Sequence, residues 1–227
     1  MLANFIDNAR EDSLTAAVFS HLLHLPSEVF WQILHKACYS KSLPEYCGEP
    51  KLFPWPNWDA TGIADRDRVI PDLFIRFENF DLIVEAKRWD NDMQNPDQWQ
   101  NELIAYCNEY GEEKREVRLL ALGGIGSEKD DERRHQSFVC PVHKCRWSTI
   151  LLECQRLKRE FEVKNPTSRV SADIRILDDL IALFATHSFV AIRWFADFDF
   201  KPNLLDASTD SHQEFFQKIS RQFQSLL

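Results

Sequence analysis

Two carboxylates and an ammonium group, set around an apolar run, are the residues of this chain that could do chemistry. Asp72 begins the run, and Glu85 follows thirteen residues later, with Lys87 two positions beyond it. Mg²⁺ and Mn²⁺ prefer oxygen ligands, and a lysine ammonium is a point donor suited to phosphate. If the fold brings these three residues together, the expected chemistry is metal-assisted hydrolysis of a phosphate ester.

A β-hairpin is the element that would bring them together. Residues 69–77 and 80–84 are apolar enough for two strands, and Glu78-Asn79 is the break between them. A two-residue turn at that break puts Asp72 directly opposite Glu85 on one face of the sheet. Directly opposed residues have Cβ atoms about 4.5–5.5 Å apart, so the spacing predicts a close pair of carboxylates.

Other turn lengths change this geometry in a defined way. A four-residue loop on the same centre keeps the pair, and a shift of the centre by one residue puts Asp72 opposite Lys87 on the same face. An odd loop length or a bulge would separate the groups. Opposed carboxylates repel each other, so a cation between them is expected. The alternative is that Asp72 caps a strand and that Glu85 and Lys87 form a solvated strand end.

Pro71-Asp72 followed by Glu85-Ala86-Lys87 resembles the signature of the PD-(D/E)XK nuclease superfamily. That superfamily includes many restriction enzymes, repair nucleases and prokaryotic defence effectors. The resemblance implies a restriction-endonuclease-like α/β fold, with a central mixed β-sheet flanked by helices. It also implies hydrolysis of DNA phosphodiester bonds, with Mg²⁺ or Mn²⁺ held by Asp72, Glu85 and the Ala86 carbonyl. Lys87 would orient the attacking water or offset charge in the transition state.

The same resemblance implies an acidic residue on a helix before the hairpin. A 3.6-residue apolar period predicts a helix from about residue 9 to residue 25, ending at Pro26. Glu11 lies in its first turn and is the candidate third carboxylate, either as a supporting ligand or as part of a second metal site. The alternative is that Glu11 only complements the helix dipole.

A glutamine on the helix after the hairpin is the last residue that the resemblance implies. A helix is predicted to start near Pro96, and Gln98 is the best match. Gln100 lies about 200° around the helix from Gln98, so only one of the two can face the metal. Both could instead be surface amides.

Length and composition predict one domain. The 227 residues are 44% hydrophobic, include only six glycines and contain no Ser/Gly-rich linker. The resemblance covers a nuclease core of about residues 5–145. Residues 146–227 are predicted to form a helical C-terminal extension, an accessory cap or a dimerisation surface, within a single domain of residues 1–227.

The remaining elements follow from apolar periodicity and turn residues. Strands are predicted at 117–122 and 138–142, separated by a charged surface loop. Helices are predicted from Ser148 to about Phe161, at 171–186 and at 211–227, and the stretch 189–200 is left open between strand and buried helix.

The cysteines favour a reduced protein without structural zinc. The six are scattered rather than dense. Cys140, His143 and Cys145 have ligand types suited to zinc, but the segment favours a buried core strand, in which cysteine is a small apolar residue.

No basic and apolar leader begins the chain, and no stretch approaches 18 uninterrupted apolar residues. The sequence therefore predicts a cytoplasmic protein that does not use a membrane as its partner.

The net charge of −9 opposes tight binding of nucleic acid by the chain alone. Basic residues do lie near the hairpin, at Arg66, Arg68 and Arg76, and beside the site, at Lys87-Arg88. We therefore expect weak binding of DNA, which is favoured over RNA, and a homo-oligomer or a partner protein that helps to deliver it. The aromatic segment 53–58 could stack on splayed bases or could be a lid over the core.

Two function classes remain from the sequence. The first is a Mg²⁺-dependent nuclease in a prokaryotic restriction, repair or phage-defence context. The second is a catalytically silent module of the same fold that binds nucleic acid or protein. The retained Asp72, Glu85 and Lys87 favour the nuclease, since a decayed site has no reason to keep buried like charges.

Overall fold

The computed structural model describes residues 11–40, 42–45, 48–163 and 168–189. In that part the helices are α1 (Glu11–Leu22), α2 (Ser27–Ala37), α3 (Pro96–Tyr110), α4 (Trp147–Val163) and α5 (Ser168–Thr186), with a short 3₁₀ helix at Gly111–Glu113. The strands are β1 (Lys51–Pro54), β2 (Trp58–Asp59), β3 (Arg68–Val69), β4 (Leu73–Arg76), β5 (Phe80–Ala86), β6 (Glu116–Leu122), β7 (Asp131–His135) and β8 (Phe138–Cys145).

A mixed sheet of six strands forms the centre of the fold, in the order β1-β4-β5-β6-β8-β7. The pairs β5·β6 and β6·β8 are parallel, and the other neighbours are antiparallel. Strands β2 and β3 form a separate two-stranded sheet. The predicted fold class, an α/β protein with a central mixed sheet flanked by helices, is confirmed.

Helices cover both faces of the central sheet because its middle strands are apolar on both sides. Alternate residues of β5 enter different clusters: Leu82 and Val84 pack with α1, α2, α4 and α5, whereas Ile83 packs with α3 and the small sheet. Central parallel strands that are buried on both faces are expected to have continuously apolar sequences. The sheet therefore has an α3 face, which packs against α3, and an opposite face, which packs against the other four helices.

The hairpin of β4 and β5 has the predicted register. Ile75 pairs with Leu82, and the Phe77 amide donates to the Phe80 carbonyl at 3.0 Å. Glu78-Asn79 is the exposed turn between them. The Phe77 and Phe80 rings stack with centroids 4.7 Å apart, which ties the two strands together beside the turn.

The charged segment after β6 contains a strand, so the prediction of a loop over residues 127–136 was wrong there. Strand β7 pairs antiparallel with β8 and lies at the edge of the sheet. Its side chains are half-buried or exposed, and Arg133 bonds Asp131 at 2.8 Å. An edge strand buries little and commonly carries charges that discourage further pairing, which explains why apolar periodicity did not identify it.

The N-terminal part also has more elements than the sequence predicted. Helix α1 ends at Leu22, and a second helix, α2, starts at Ser27 directly after Pro26. Part of the aromatic segment 53–58, for which the sequence predicted no strand, pairs as strands β1 and β2. The backbone pairing of these short strands is non-local, and no local pattern reports it.

All described residues belong to one compact unit, Met1–Ala191. The helix predicted at 211–227 and nearly all of the segment 189–200 lie outside the described residues, so the single domain of 1–227 stays a prediction. Among the described helices, none combines the length and the apolar character that crossing a membrane requires.

Candidate functional site

The hairpin places Asp72 opposite Glu85. Leu73 pairs with Val84 in the antiparallel register, so the next step outward on each strand aligns Asp72 with Glu85. The Asp72 Oδ2 atom accepts a hydrogen bond from the Ala86 amide at 2.7 Å. This bond fixes the Asp72 carboxylate against the carboxyl end of β5.

Both carboxylates lie on the α3 face. Phe74 and Ile83, two residues inward from Asp72 and Glu85 respectively, belong to the cluster that packs against α3. Because side chains alternate with period two along a strand, Asp72 and Glu85 share the face of these two residues. The predicted agreement of faces is thus present in the backbone geometry.

Lys87 brings a positive charge to the same point. Its Nζ lies 2.5 Å from Glu85 Oε1, which is a short, charge-assisted contact. Glu85 is only 2% exposed, whereas the Lys87 side chain is half-buried. The Glu85 carboxylate is therefore deeply buried, whereas the Lys87 side chain is partly accessible to solvent.

Glu102 on α3 is a site residue that the sequence analysis missed. It is 1% exposed, and neither of its carboxyl oxygens has a hydrogen-bond donor as partner among the described residues. Burial, and next the negative charge of Glu85, raise the pKa of Glu102 well above its usual range. The nearby Glu85 carboxyl group adds to this rise of the Glu102 pKa, and the charge of Asp72 acts in the same direction.

A signal for Glu102 was present in the sequence. Trp99, Leu103 and Tyr106 form the buried stripe of α3, and Glu102 occupies a position within that stripe. A charged residue at an apolar position of an amphipathic helix is a buried polar group that needs an explanation. Here the buried stripe of α3 places the carboxyl group of Glu102 near Asp72 and Glu85.

Asp81 provides an internal contrast on the same strand and the same face. It is also fully buried, but Arg76, Arg115 and Tyr106 all donate to its carboxylate at 2.8–3.1 Å. That carboxylate is neutralised and saturated, as a structural buried charge should be. Glu85 instead has the acidic neighbours Asp72 and Glu102, an environment that is common at functional sites.

The two candidate glutamines occupy different sides of α3. Gln98 is half-buried in the first turn, four residues before Glu102 and therefore on the same side of the helix. Gln100 donates its amide to the Arg134 carbonyl of β7 at 3.1 Å. The role of Gln98 stays a prediction. Glu11 is the first residue of α1, and its side chain lies outside the described part, so its role also stays a prediction.

Gln94 is a second residue that the sequence analysis missed. Its Nε2 donates to the carbonyl oxygens of Glu85, Leu122 and Gly123 at 3.0–3.2 Å, and its Oε1 accepts from Trp99 Nε1 at 3.0 Å. This amide ties the carboxyl ends of β5 and β6 to α3. No local pattern singled it out, since its partners are distant in the chain.

The loop that precedes Gln94 also orients α4. The Asp90 carboxylate accepts from the amides of Trp147 and Ser148 at 2.8 and 3.1 Å, so it caps the first turn of that helix. A cavity of about 470 Å³ opens beside this loop, lined by Asp90–Met93, Ile125, Gly126, Arg146 and Ser148. It lies at the carboxyl ends of the parallel strands, where open α/β sheets commonly bind ligands.

The Cys140, His143 and Cys145 set does not converge on a zinc ion. Cys140 lies in the core on the α3 face, whereas Cys145 lies in the core on the opposite face. His143 is fully buried, and burial lowers its pKa to about 4. The predicted reading of this segment as a core strand, β8, is confirmed.

The donor set around Asp72 is compatible with a hard cation. It consists of carboxylate and carbonyl oxygens, and Mg²⁺ commonly binds through one or two carboxylates and keeps several waters. In the part of the chain that the structure describes, no group of three or more His, Cys, Asp or Glu side chains is arranged to hold a metal. Among the described residues, such a site would draw on the carboxylates of Asp72 and Glu85.

Comparison with known proteins adds one relative. No protein-family model matches the chain. An uncharacterized protein of Pasteurella multocida (strain Pm70) is 32% identical over 120 residues, which is 52% of this chain and 43% of that protein. The matched region thus spans less than half of the relative's length.

Proposed function

We propose that this chain is a Mg²⁺-dependent nuclease that hydrolyses phosphodiester bonds of DNA in the cytoplasm of a prokaryote. The observation that carries the proposal is the convergence of Asp72, Glu85 and Lys87 on one sheet face, with the buried acid Glu102 behind Glu85. Like charges held together at the end of a strand are costly unless a cation or a proton compensates them. The resemblance to the PD-(D/E)XK signature gives the same residues the same roles.

In this proposal the Asp72 and Glu85 carboxylates and the Ala86 carbonyl hold the cation. Mg²⁺ held there would act as a Lewis acid toward the phosphate and would make water a better nucleophile. The Ala86 amide keeps the Asp72 carboxylate in place through its 2.7 Å hydrogen bond. The Lys87 ammonium moves from Glu85 toward the scissile phosphate, where it offsets the developing negative charge.

Glu102 has a positioning role in the proposal. It holds a proton close to Glu85, because burial and the neighbouring carboxylates disfavour its charged form. A protonated Glu102 can donate to one Glu85 oxygen and leave the other for the cation. Gln98 and Glu11 remain candidates for support of the water or of a second cation.

Delivery of the substrate is part of the proposal, because the chain is acidic. Its net charge is −9, and several arginines that could contact DNA are already paired with carboxylates. Arg76 is bound to Asp81, Arg133 to Asp131, and Arg156 to Glu153. We propose that a partner protein or a second copy of the chain strengthens DNA binding.

The test is cleavage of supercoiled and linear DNA with Mg²⁺ or Mn²⁺, with EDTA as the metal-free reference. We expect Asp72→Asn and Lys87→Ala to reduce the rate by roughly 10²–10³-fold, the size expected when one group that stabilises developing charge is lost. Asp67→Asn, a change of an exposed acid in the same region, should leave the rate unchanged. Wild-type rates in both site variants would reject the nuclease assignment.

Calorimetric titration with Mn²⁺ separates the nuclease from the catalytically silent module. A nuclease should give binding heat that disappears in Asp72→Asn and in Glu85→Gln. A module that only binds nucleic acid or protein should give no heat that depends on these two residues.

A further inference from the structure

Two exposed aromatic residues lie beside the candidate site. Strand β1 pairs with β4 so that Phe53 faces Phe74. One step beyond the end of β1, the Trp55 amide donates to the Asp72 carbonyl at 3.2 Å. Trp55 is therefore the lateral neighbour of Asp72, and adjacent strands are about 4.8 Å apart.

The Phe53 and Trp55 rings are exposed, although Trp58, three residues after Trp55, is buried. Phe53 and Trp55 are 44% and 42% exposed, whereas Trp58 is 2% exposed and belongs to the core. The Phe53 ring lies 5.6 Å from the Phe74 ring, so Phe53 is on the α3 face with Asp72. Trp58 is thus part of the core, whereas the Phe53 and Trp55 rings are accessible to a ligand.

The backbone at Trp55 is strained. Its φ is 45°, a left-handed conformation that bulky L-residues rarely adopt. Such strain persists only where the surrounding structure enforces it, and it is concentrated at ligand-binding sites. Here the strained residue pairs with Asp72, so its backbone lies beside the candidate site.

Positive charge lies along the segment that leads into Asp72. Arg66 and Arg68 are exposed, and no ion pair of either is found in the described part of the chain, in contrast to Arg76 with Asp81. Ile70, between Arg68 and Asp72, is 54% exposed. Exposed rings with unpaired arginines are the combination that binds single strands, since the rings stack on bases and the cations contact phosphates.

We infer that Phe53 and Trp55 stack on unpaired bases, so that the nucleic acid enters the site as a single strand, with Arg66 and Arg68 on its phosphates. In a duplex both faces of each base are already stacked, and the rings would gain nothing. The substrate class is therefore single-stranded DNA or a single-stranded end or flap. The cleavage part of this inference rests on the proposed nuclease function, and the binding part does not.

The test is binding of a fluorescent oligonucleotide, single-stranded and as a duplex of the same sequence, measured by anisotropy with the full chain in EDTA. We expect the single strand to bind more tightly than the duplex. Trp55→Asn removes the ring but tolerates the left-handed backbone, and should weaken single-strand binding roughly tenfold. Trp55→Phe keeps a ring and should bind nearly as well as wild type.

Two further variants keep the experiment decisive. Phe53→Ala should weaken single-strand binding in the same way. It replaces Trp55→Asn as the test of stacking if circular dichroism shows that Trp55→Asn has not folded. Leu152→Ala removes a side chain that is 53% exposed on α4 and should leave binding unchanged. Equal affinity for single strand and duplex, no measurable binding, or wild-type binding by folded Trp55→Asn and Phe53→Ala would overturn the inference.

The outcomes also separate this inference from the nuclease proposal. Single-strand binding that depends on Trp55, without cleavage in Mg²⁺, would reject only the nuclease. Cleavage of duplex DNA that depends on Asp72 but not on Trp55 would reject only the single-strand inference.

Discussion

The two buried carboxylates of strand β5, those of Asp81 and Glu85, have different roles because they have different partners. Asp81 is surrounded by arginines and a tyrosine hydroxyl, so its charge stabilises the junction of strand and helix. Glu85 meets one ammonium, from Lys87, and the buried acid Glu102. The raised pKa of Glu102 favours a proton on this acidic cluster in the metal-free protein.

That proton predicts a pH-dependent stability. Above the unfolded pKa of about 4.3, the unfolded chain loses the proton and native Glu102 keeps it, so the free energy of unfolding falls as pH rises toward the native pKa. The slope for one proton is about 1.4 kcal/mol per pH unit. Glu102→Gln, measured by urea unfolding from pH 5 to pH 8 in EDTA, should lack this contribution and gain stability relative to wild type as pH rises.

Glu112→Gln is the matched control, because the same chemical change falls on an exposed side chain. It should follow the wild-type pH profile. A Glu102→Gln profile parallel to that of wild type would show that Glu102 is ionised in the native protein.

At the scale of elements, the turn after β6 holds the end of β5. The Gly123 amide donates to the Cys145 carbonyl at 2.9 Å, and the Lys87 carbonyl accepts from Trp147 Nε1 at 2.7 Å. Gly123 has a φ of +70°, and a Cβ there would stand 2.4 Å from the Lys87 carbonyl oxygen. The glycine therefore permits a close approach that fixes the backbone of Lys87.

Gly123→Ala should accordingly damage both stability and activity. A left-handed alanine and a backbone clash together cost about 2–4 kcal/mol, and relief of the clash must move Lys87. Gly126→Ala is the control, since a Cβ there meets nothing within 4 Å. Thermal unfolding and Mg²⁺-dependent cleavage should distinguish the two, and equal behaviour of both variants would contradict a tight turn against Lys87.

At the scale of the whole molecule, the sheet aligns residues from separate parts of the chain. In the parallel register Glu85 pairs with Ala121, and Ala121 pairs with Lys144. With Trp55 and Asp72 on the other side, one row crosses the sheet at the carboxyl ends of its parallel strands. A ligand bound to this row contacts several strands at once, so binding should stabilise the whole fold.

Mg²⁺ should therefore raise the melting temperature. At a concentration one hundred times the dissociation constant, binding to the native state contributes about 2.7 kcal/mol, which corresponds to roughly 5–10 °C for a chain of this size. Differential scanning calorimetry of wild type and Asp72→Asn over a Mg²⁺ series measures this shift. A wild-type melting temperature that does not respond to Mg²⁺, or an equal response in both proteins, would contradict a cation site at Asp72.

Local patterns in the sequence were sufficient for the hairpin and the strongly periodic elements. The register of β4 with β5 follows from a single break, Glu78-Asn79, because side-chain alternation leaves no other freedom in a two-residue turn. Helix α3 and strand β6 follow from their periodicity. The placement of Asp72 opposite Glu85 was accessible for the same reason.

Only the tertiary structure determined which residues surround the pair of Asp72 and Glu85. Glu102 and Gln94 reach the end of β5 only because α3 packs on one sheet face, and Trp55 reaches Asp72 only because β1 adds to the edge of β4. The charged strand β7 has no apolar pattern to reveal it. The sequence by itself determined the local hairpin, since neighbouring residues dictate its geometry. The positions of Glu102, of Trp55 and of the turn at Gly123 around that hairpin depend on contacts between distant segments.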